Sequence, residues 1–166
     1  MKLSDGVEWA IHCAMLLGSL PEHATLSGKA LAEFHGVPES YLLKHLKQLV
    51  AKGVLESVSG PRGGYRLARG PDEITLLDIV QAVDGNRPAF RCTEIRRRGP
   101  CRLDDSAYPL CCGVNRAMMR AEQAWRNSLR EQTLDATSKD FLATADPRLL
   151  PLGEEWLEQN TRMPKS

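Results

Sequence analysis

Apolar residues in the first fifty positions recur at helical spacing, punctuated by glycine and proline. Val7, Ala10, Ile11, Ala14 and Leu17 follow Ser4 as an N-cap and predict a helix over about 5–17, stopped at Gly18. Ser27 caps a short helix carrying Leu31 and Phe34, and Gly36 occupies the C′ place where a left-handed residue ends a helix. Pro38 is tolerated in the first turn of the next helix, whose apolar face (Leu42, Leu46, Leu49, Val50) runs to about Lys52. The pattern then changes. Residues 54–58 and 65–67 read as strands around the turn Gly60-Pro61-Arg62-Gly63-Gly64. Thr75 next caps a helix with Leu76, Leu77, Ile79, Val80 and Val83, ended by Asp84-Gly85. Two helices joined through Gly36-Val37 form a helix-turn-helix, and a hairpin directly after them is a wing.

Residues 86–112 lose all period. With residue 113 the stretch holds six arginines and four cysteines among prolines and glycines, a loop that needs something to hold it. Val114, Met118, Ala121, Trp125 and Leu129 then follow spacings close to a coiled-coil seam and predict a long helix over about 113–132 that pairs with a partner. The tail reads as a short helix, a proline-containing break and another short helix around Glu154–Asn160, with Trp156 and Leu157 as anchors against the long helix. The expected fold is therefore mainly α with a small β-hairpin wing. It divides into a winged helix-turn-helix (1–85), a cysteine loop (86–112), a dimerisation helix (113–135) and a tail (136–166).

Composition adds two constraints. No apolar run is long enough to cross a bilayer and the N-terminus lacks the features of a signal peptide, so a cytoplasmic protein is expected. In that reducing compartment the five cysteines, four of them within 92–112, point to metal or redox chemistry rather than disulfides. Net charge is only +1, but of the eight Lys/Arg within residues 1–70, set against six Asp/Glu, six lie between 44 and 69. That distribution suits double-stranded operator DNA.

The second helix of a helix-turn-helix lies in the major groove with its N-terminal residues nearest the bases. Its polar face offers Ser40, Tyr41, Lys44 and Gln48, with Lys47 alongside. Glutamine can read an adenine edge, and lysine or tyrosine can hold phosphates. Arg62, flanked by glycines at the wing tip, can enter a minor groove. Ser27 and Lys29 open a helix whose free amides suit a phosphate. No phosphate loop or nucleophile elbow is present, and His12 and Cys13 point to different faces of one helix, so neither catalysis nor a small-molecule substrate is expected.

The order of elements, the Gly63-Gly64-Tyr65 wing, Ile74-Thr75-Leu76-Leu77-Asp78-Ile79-Val80 and the cysteine loop before a long helix resemble the IscR/NsrR/RsrR family of winged-helix regulators, from Met1 to about Leu134. The segments Gly6–Ala10, His12-Cys13, Ala89-Phe90, Cys92–Arg96 and Cys112 with Arg116-Ala117-Met118 look most similar to the family's redox-sensing RsrR branch. The resemblance implies a dimeric repressor with a 2Fe-2S cluster bound by Cys92 and Cys112 of one subunit and by Glu8 and His12 of the other. Trp9, beside Glu8, becomes a candidate for relaying a redox change. The residues themselves accord with this. Glu8 and His12 are four apart and share a helix face, and thiolates are soft donors suited to iron–sulfur clusters. Cys13, among small apolar residues, reads as a core thiol. The tight, even spacing of the family's three-cysteine members is absent: eight residues separate Cys92 from Cys101 and nine separate Cys101 from Cys111. Cys101 and Cys111 nonetheless stay open as alternative ligands. Also open are a nitric-oxide-responsive regulator with a 4Fe-4S cluster and a metal-free thiol switch.

Overall fold

The computed structural model describes residues 2–163. Seven helices and one hairpin follow in the order α1 (Asp5–Gly18), α2 (Gly28–His35), α3 (Glu39–Ala51), β1 (Leu55–Val58), β2 (Gly64–Leu67), α4 (Leu76–Asp84), α5 (Gly113–Glu131), α6 (Leu134–Thr144) and α7 (Leu149–Asn160). This is the expected mainly α fold with a hairpin wing. Between α4 and α5 only two single turns of 3-10 helix form, at Ile95–Arg97 and Asp105–Ala107.

Local chemistry accounts for most boundaries. The Ser27 hydroxyl accepts from the Ala30 amide at 3.1 Å, and Gly36 closes α2 at φ 63°. Thr75 and Asp78 form a reciprocal capping box at the start of α4. Ser4 does something else. It precedes α1 without capping it, and its amide donates to the Asp84 carboxylate at 3.0 Å, tying the start of α1 to the end of α4. Pro38 stands at the N-cap of α3 rather than within its first turn.

One core joins α1 to α4. Ala10, Cys13, Ala14, Leu31, Leu42, Leu46, Leu49 and Ile79 are all fully buried within it. Burial lifts the Cys13 thiol to about 12, so it is an inert packing group, as expected. A Cβ at Gly6 would come within 2.4 Å of the His45 ring, so this glycine lets α1 lie close on α3. In the wing β1 and β2 pair antiparallel, Leu55 with Leu67 and Val58 with Gly64. Side chains at Gly63 and Gly64 would meet the carbonyl oxygens of Val58 at 2.1 Å and Leu26 at 2.4 Å, so the turn admits no side chain at either position.

The tail departs from expectation. Leu134, at the start of α6, is fully buried, and its amide donates to the Ile74 carbonyl at 2.8 Å. The first tail helix thus belongs to the winged-helix core. Trp156 of α7 meets Phe34 of α2, with ring centroids 4.8 Å apart, rather than the long helix. The chain breaks at Asp146-Pro147 and resumes as helix at Leu149, earlier than expected, because Pro151 falls in the first turn of α7, where no amide is missed.

Candidate functional site

The residues expected to face DNA form a stripe along the second helix of the helix-turn-helix. Ser40, Tyr41, Lys44 and Lys47 are exposed along α3, and Tyr41 is 64% exposed. Gln48 does not share that stripe. Its amide donates to the Val83 carbonyl at 3.2 Å and its oxygen lies 3.0 Å from His45 Nδ1, so it fastens α3 to α4. Ser27 spends its acceptor on the α2 cap, while Lys29 is exposed beside Glu33. Arg62 is exposed at the wing tip, and Arg66, one strand residue from the turn, is committed to Glu56 across the hairpin.

The cysteine loop has its own order, none of it apolar. Glu94 adopts a left-handed conformation (φ 49°), and its carboxylate receives two bonds from Arg96, at 2.5 and 2.9 Å. Arg96 donates further to the Leu110 carbonyl at 3.1 Å, and its own carbonyl accepts from the Tyr108 hydroxyl at 2.9 Å. The guanidiniums of Arg96 and Arg97 lie 5.1 and 5.6 Å from the centre of the Tyr108 ring. This clasp draws the two ends of the loop, Cys92-Thr93-Glu94 and Leu110-Cys111-Cys112, toward one another.

Cys112 stands at the N-cap of α5. Its thiol is lowered from the usual value by the backbone amides of Asn115 and Val114, helped by the Arg96 guanidinium. Helix-end amides and a cation both favour a thiolate, the form that binds metal. Cys111 points elsewhere: its sulfur, on an exposed residue, lies 2.8 Å from the Asn115 side-chain amide. Cys92 is half-buried and Cys101 exposed.

On α1, Glu8 and His12 are exposed one turn apart, and no hydrogen bond or ion pair joins them. The His12 ring faces His35 of α2, with centroids 5.9 Å apart. His35 is pushed down to about 4, first by burial and then by the charge of His12, and its Nε2 is buried without a partner. Trp9, half-buried, meets His45 edge-on at 6.2 Å. Among the described residues of one chain, no three His, Cys, Asp or Glu converge as a metal site. The structure thus places Cys92 and Cys112 at the two ends of one loop, and Glu8 and His12 on a separate helix face.

Comparison with known proteins decides the lineage. Residues 3–140 match the family model described as Rrf2, iron-dependent transcriptional regulator. The chain belongs to the Rrf2 family. Among similar Rrf2-type proteins, the HTH-type transcriptional regulator YwgB of Bacillus subtilis (strain 168) is 31% identical over 81% of this chain and 82% of its own length. The HTH-type transcriptional regulator NsrR of Shouchella clausii (strain KSM-K16) is 25% identical over 88% of this chain and 91% of its own. The solved structure of T. potens IscR superposes with a TM-score of 0.63 at 22% identity, covering 90% of this chain and 96% of that one, and supports the fold. Rrf2 membership makes the chain a DNA-binding transcriptional regulator and not an enzyme. Among the described residues, no helix is long and apolar enough to cross a membrane.

The Arg96 clasp and Arg162 escaped the sequence reading, and His35, expected at the surface, has its Nε2 buried instead. Arg162 donates to the Gly63 carbonyl at 2.8 Å across a separation of 99 residues, and no local pattern signals such a pair.

Proposed function

We propose that this chain is a homodimeric repressor whose hold on operator DNA is set by a 2Fe-2S cluster lying across the subunit interface. Cys92 and Cys112 of one subunit hold the cluster with Glu8 and His12 of the partner subunit. One observation carries the reading. A cysteine whose thiol is lowered by the helix-end amides begins α5, while a carboxylate and an imidazole share an exposed face of α1 without bonding each other. The ordinary surface use of such a pair, as an i, i+4 contact, is not made here.

When bound, the cluster supplies a one-electron redox change, and imidazole in place of thiolate raises its potential. The rest belongs to the protein's own residues. Two amides and a guanidinium lower the Cys112 thiol from its usual value, and α5 begins directly behind it. Val114 and Met118, 61% and 42% exposed, open the apolar stripe of α5 that forms the dimer seam. Ser40, Tyr41 and Lys44 enter the major groove, Arg62 reaches the adjacent minor groove, and Lys29 with the amide end of α2 at Ser27 meets phosphate. Gln48 holds the reading helix in place rather than reading bases. Trp9 sits between Glu8 and α3 and passes movement of α1 to the reading helix.

Absorption and EPR spectra of protein purified without oxygen, before and after dithionite, test this. A 2Fe-2S spectrum that becomes paramagnetic on one-electron reduction, perturbed by each of Glu8→Ala, His12→Ala, Cys92→Ala and Cys112→Ala, is expected. A 4Fe-4S spectrum insensitive to His12→Ala would instead mark a nitric-oxide-type sensor. A protein colourless after anaerobic reconstitution would leave a thiol switch.

A further inference from the structure

Residues 149–163 lie beyond the stretch that defines the family, yet they are docked on its DNA-binding elements. Trp156 packs against Phe34 of α2. Past the end of α7 the chain becomes extended, and Arg162 pairs antiparallel with Thr25: each amide donates to the other's carbonyl at 2.9 Å. The neighbouring Leu26 pairs in turn with Tyr65 of β2, through bonds of 3.1 and 2.8 Å. A single bridge at Arg162 thus links the tail, through Thr25-Leu26, to the edge of the wing sheet.

Two further bonds reach the wing turn. The Arg162 guanidinium donates to the Gly63 carbonyl at 2.8 Å, and the Thr25 hydroxyl donates to the Arg62 carbonyl at 3.2 Å. The backbone on which the exposed Arg62 side chain rides is therefore held at two successive carbonyls. A hairpin of four-residue strands is marginal by itself, so its tip gains order from such neighbours.

We propose that the C-terminal segment is a strap that fixes the wing tip, and that Arg162 is a positioning residue for the DNA contact made by Arg62. Ordering the tip before binding removes part of the conformational entropy that complex formation otherwise loses. The proposal rests on Arg62 being a DNA contact, and the test separates the two claims.

Full-length wild type, Arg62→Ala, Arg162→Ala and the double variant are titrated by anisotropy against a fluorescein-labelled duplex recovered from a random-sequence pool by the wild-type protein. Each single variant is expected to weaken binding about tenfold, and the double variant no more than either, because Arg162 acts through Arg62. Hydrogen exchange is expected to accelerate at residues 59–65 of Arg162→Ala, with α1 and α3 unchanged. Should Arg162→Ala lose protection globally, Thr25→Val serves instead. It keeps the buried shape and removes only the hydroxyl bond to Arg62, and a loss of about threefold is expected. An additive loss of about a hundredfold in the double variant makes Arg162 an independent DNA contact and overturns the strap. Unchanged binding by both Arg162→Ala and Thr25→Val, with Arg62→Ala weakened, overturns the strap and leaves the Arg62 contact standing. Unchanged binding by Arg62→Ala removes that contact, and the positioning role with it.

Discussion

Between α1 and α4 the chain closes on side chains that water does not reach, Leu31, Leu42, Leu46 and Ile79 among them. From 86 to 112 not one residue is buried, and order comes from Glu94, Arg96, Arg97, Asp105 and Tyr108 bonding one another in the open. Apolar burial is worth about 1.5–3 kcal/mol for each large side chain, whereas exposed ion pairs are worth about 0–1 kcal/mol. The first region is therefore a scaffold whose shape is insensitive to its surroundings. The second is a shape held lightly, where ligation or a partner subunit shifts the balance most easily.

Four experiments break or sharpen that contrast. Leu46→Ala leaves a cavity at the centre of the scaffold and is expected to cost about 2–5 kcal/mol in denaturant unfolding. A loss under about 1 kcal/mol would show that α3 is not packed as described. Gly64→Ala drives a methyl group to 2.4 Å from the Leu26 carbonyl and should cost about 1–3 kcal/mol, with the wing amides exchanging first. A variant as stable as the parent would mean that the wing does not lie on Leu26.

His35 gives the scaffold a pH dependence. Its folded-state value, about 4, lies below the ordinary 6.5, so the unfolded chain takes up the proton first. Its contribution is intact above pH 6.5 and declines as pH falls toward 4, by at most about 1.4 kcal/mol per pH unit. Replacement by leucine should flatten that slope in unfolding curves taken between pH 7 and 5, and an unchanged slope would assign it to other groups. The smallest effect belongs to the lightly held loop. Arg96→Ala should change unfolding free energy by under about 1 kcal/mol. It should also slow alkylation of Cys112 at neutral pH by about two- to threefold, because the thiolate loses a nearby cation. A large drop in stability would show that the loop is part of the core after all.

The sequence disclosed the scaffold because its rules are local. Periodic leucines, the Ser27 and Thr75 caps and the left-handed Gly36 act within four residues of themselves, and the helices and wing stand within about two residues of where those signals put them. Gln48 shows where such reading stops. A helical wheel measures distance from the apolar stripe and cannot see the Val83 carbonyl that another helix brings alongside. The clasp around Tyr108 and the tail's return to the wing are likewise meetings of distant residues, with no period to announce them. Of the candidate site, the α1 pair came from the family resemblance, and spacing alone put Glu8 and His12 on one helix face. That Cys112 rather than Cys111 lies among helix-end amides required the backbone itself.

The two ends of α5 are anchored unequally. At its C-terminal end Leu134 is sunk in the core, and Thr133 bridges to Thr75. At the other end Cys112 joins a loop in which no residue is buried. Once the ties of Glu122 to Ala89 and of Arg126 to Asn86 release, a rod of 19 residues, pivoted at its C-terminal end and about 28 Å long, carries its far end about 0.5 Å for each degree of swing. Run in reverse, the same lever divides motion, so a shift of 2–3 Å at the sulfur reaches the pivot as only a few degrees of tilt. Those degrees arrive beside Ile74 and Thr75, where α4 begins and the wing has just ended.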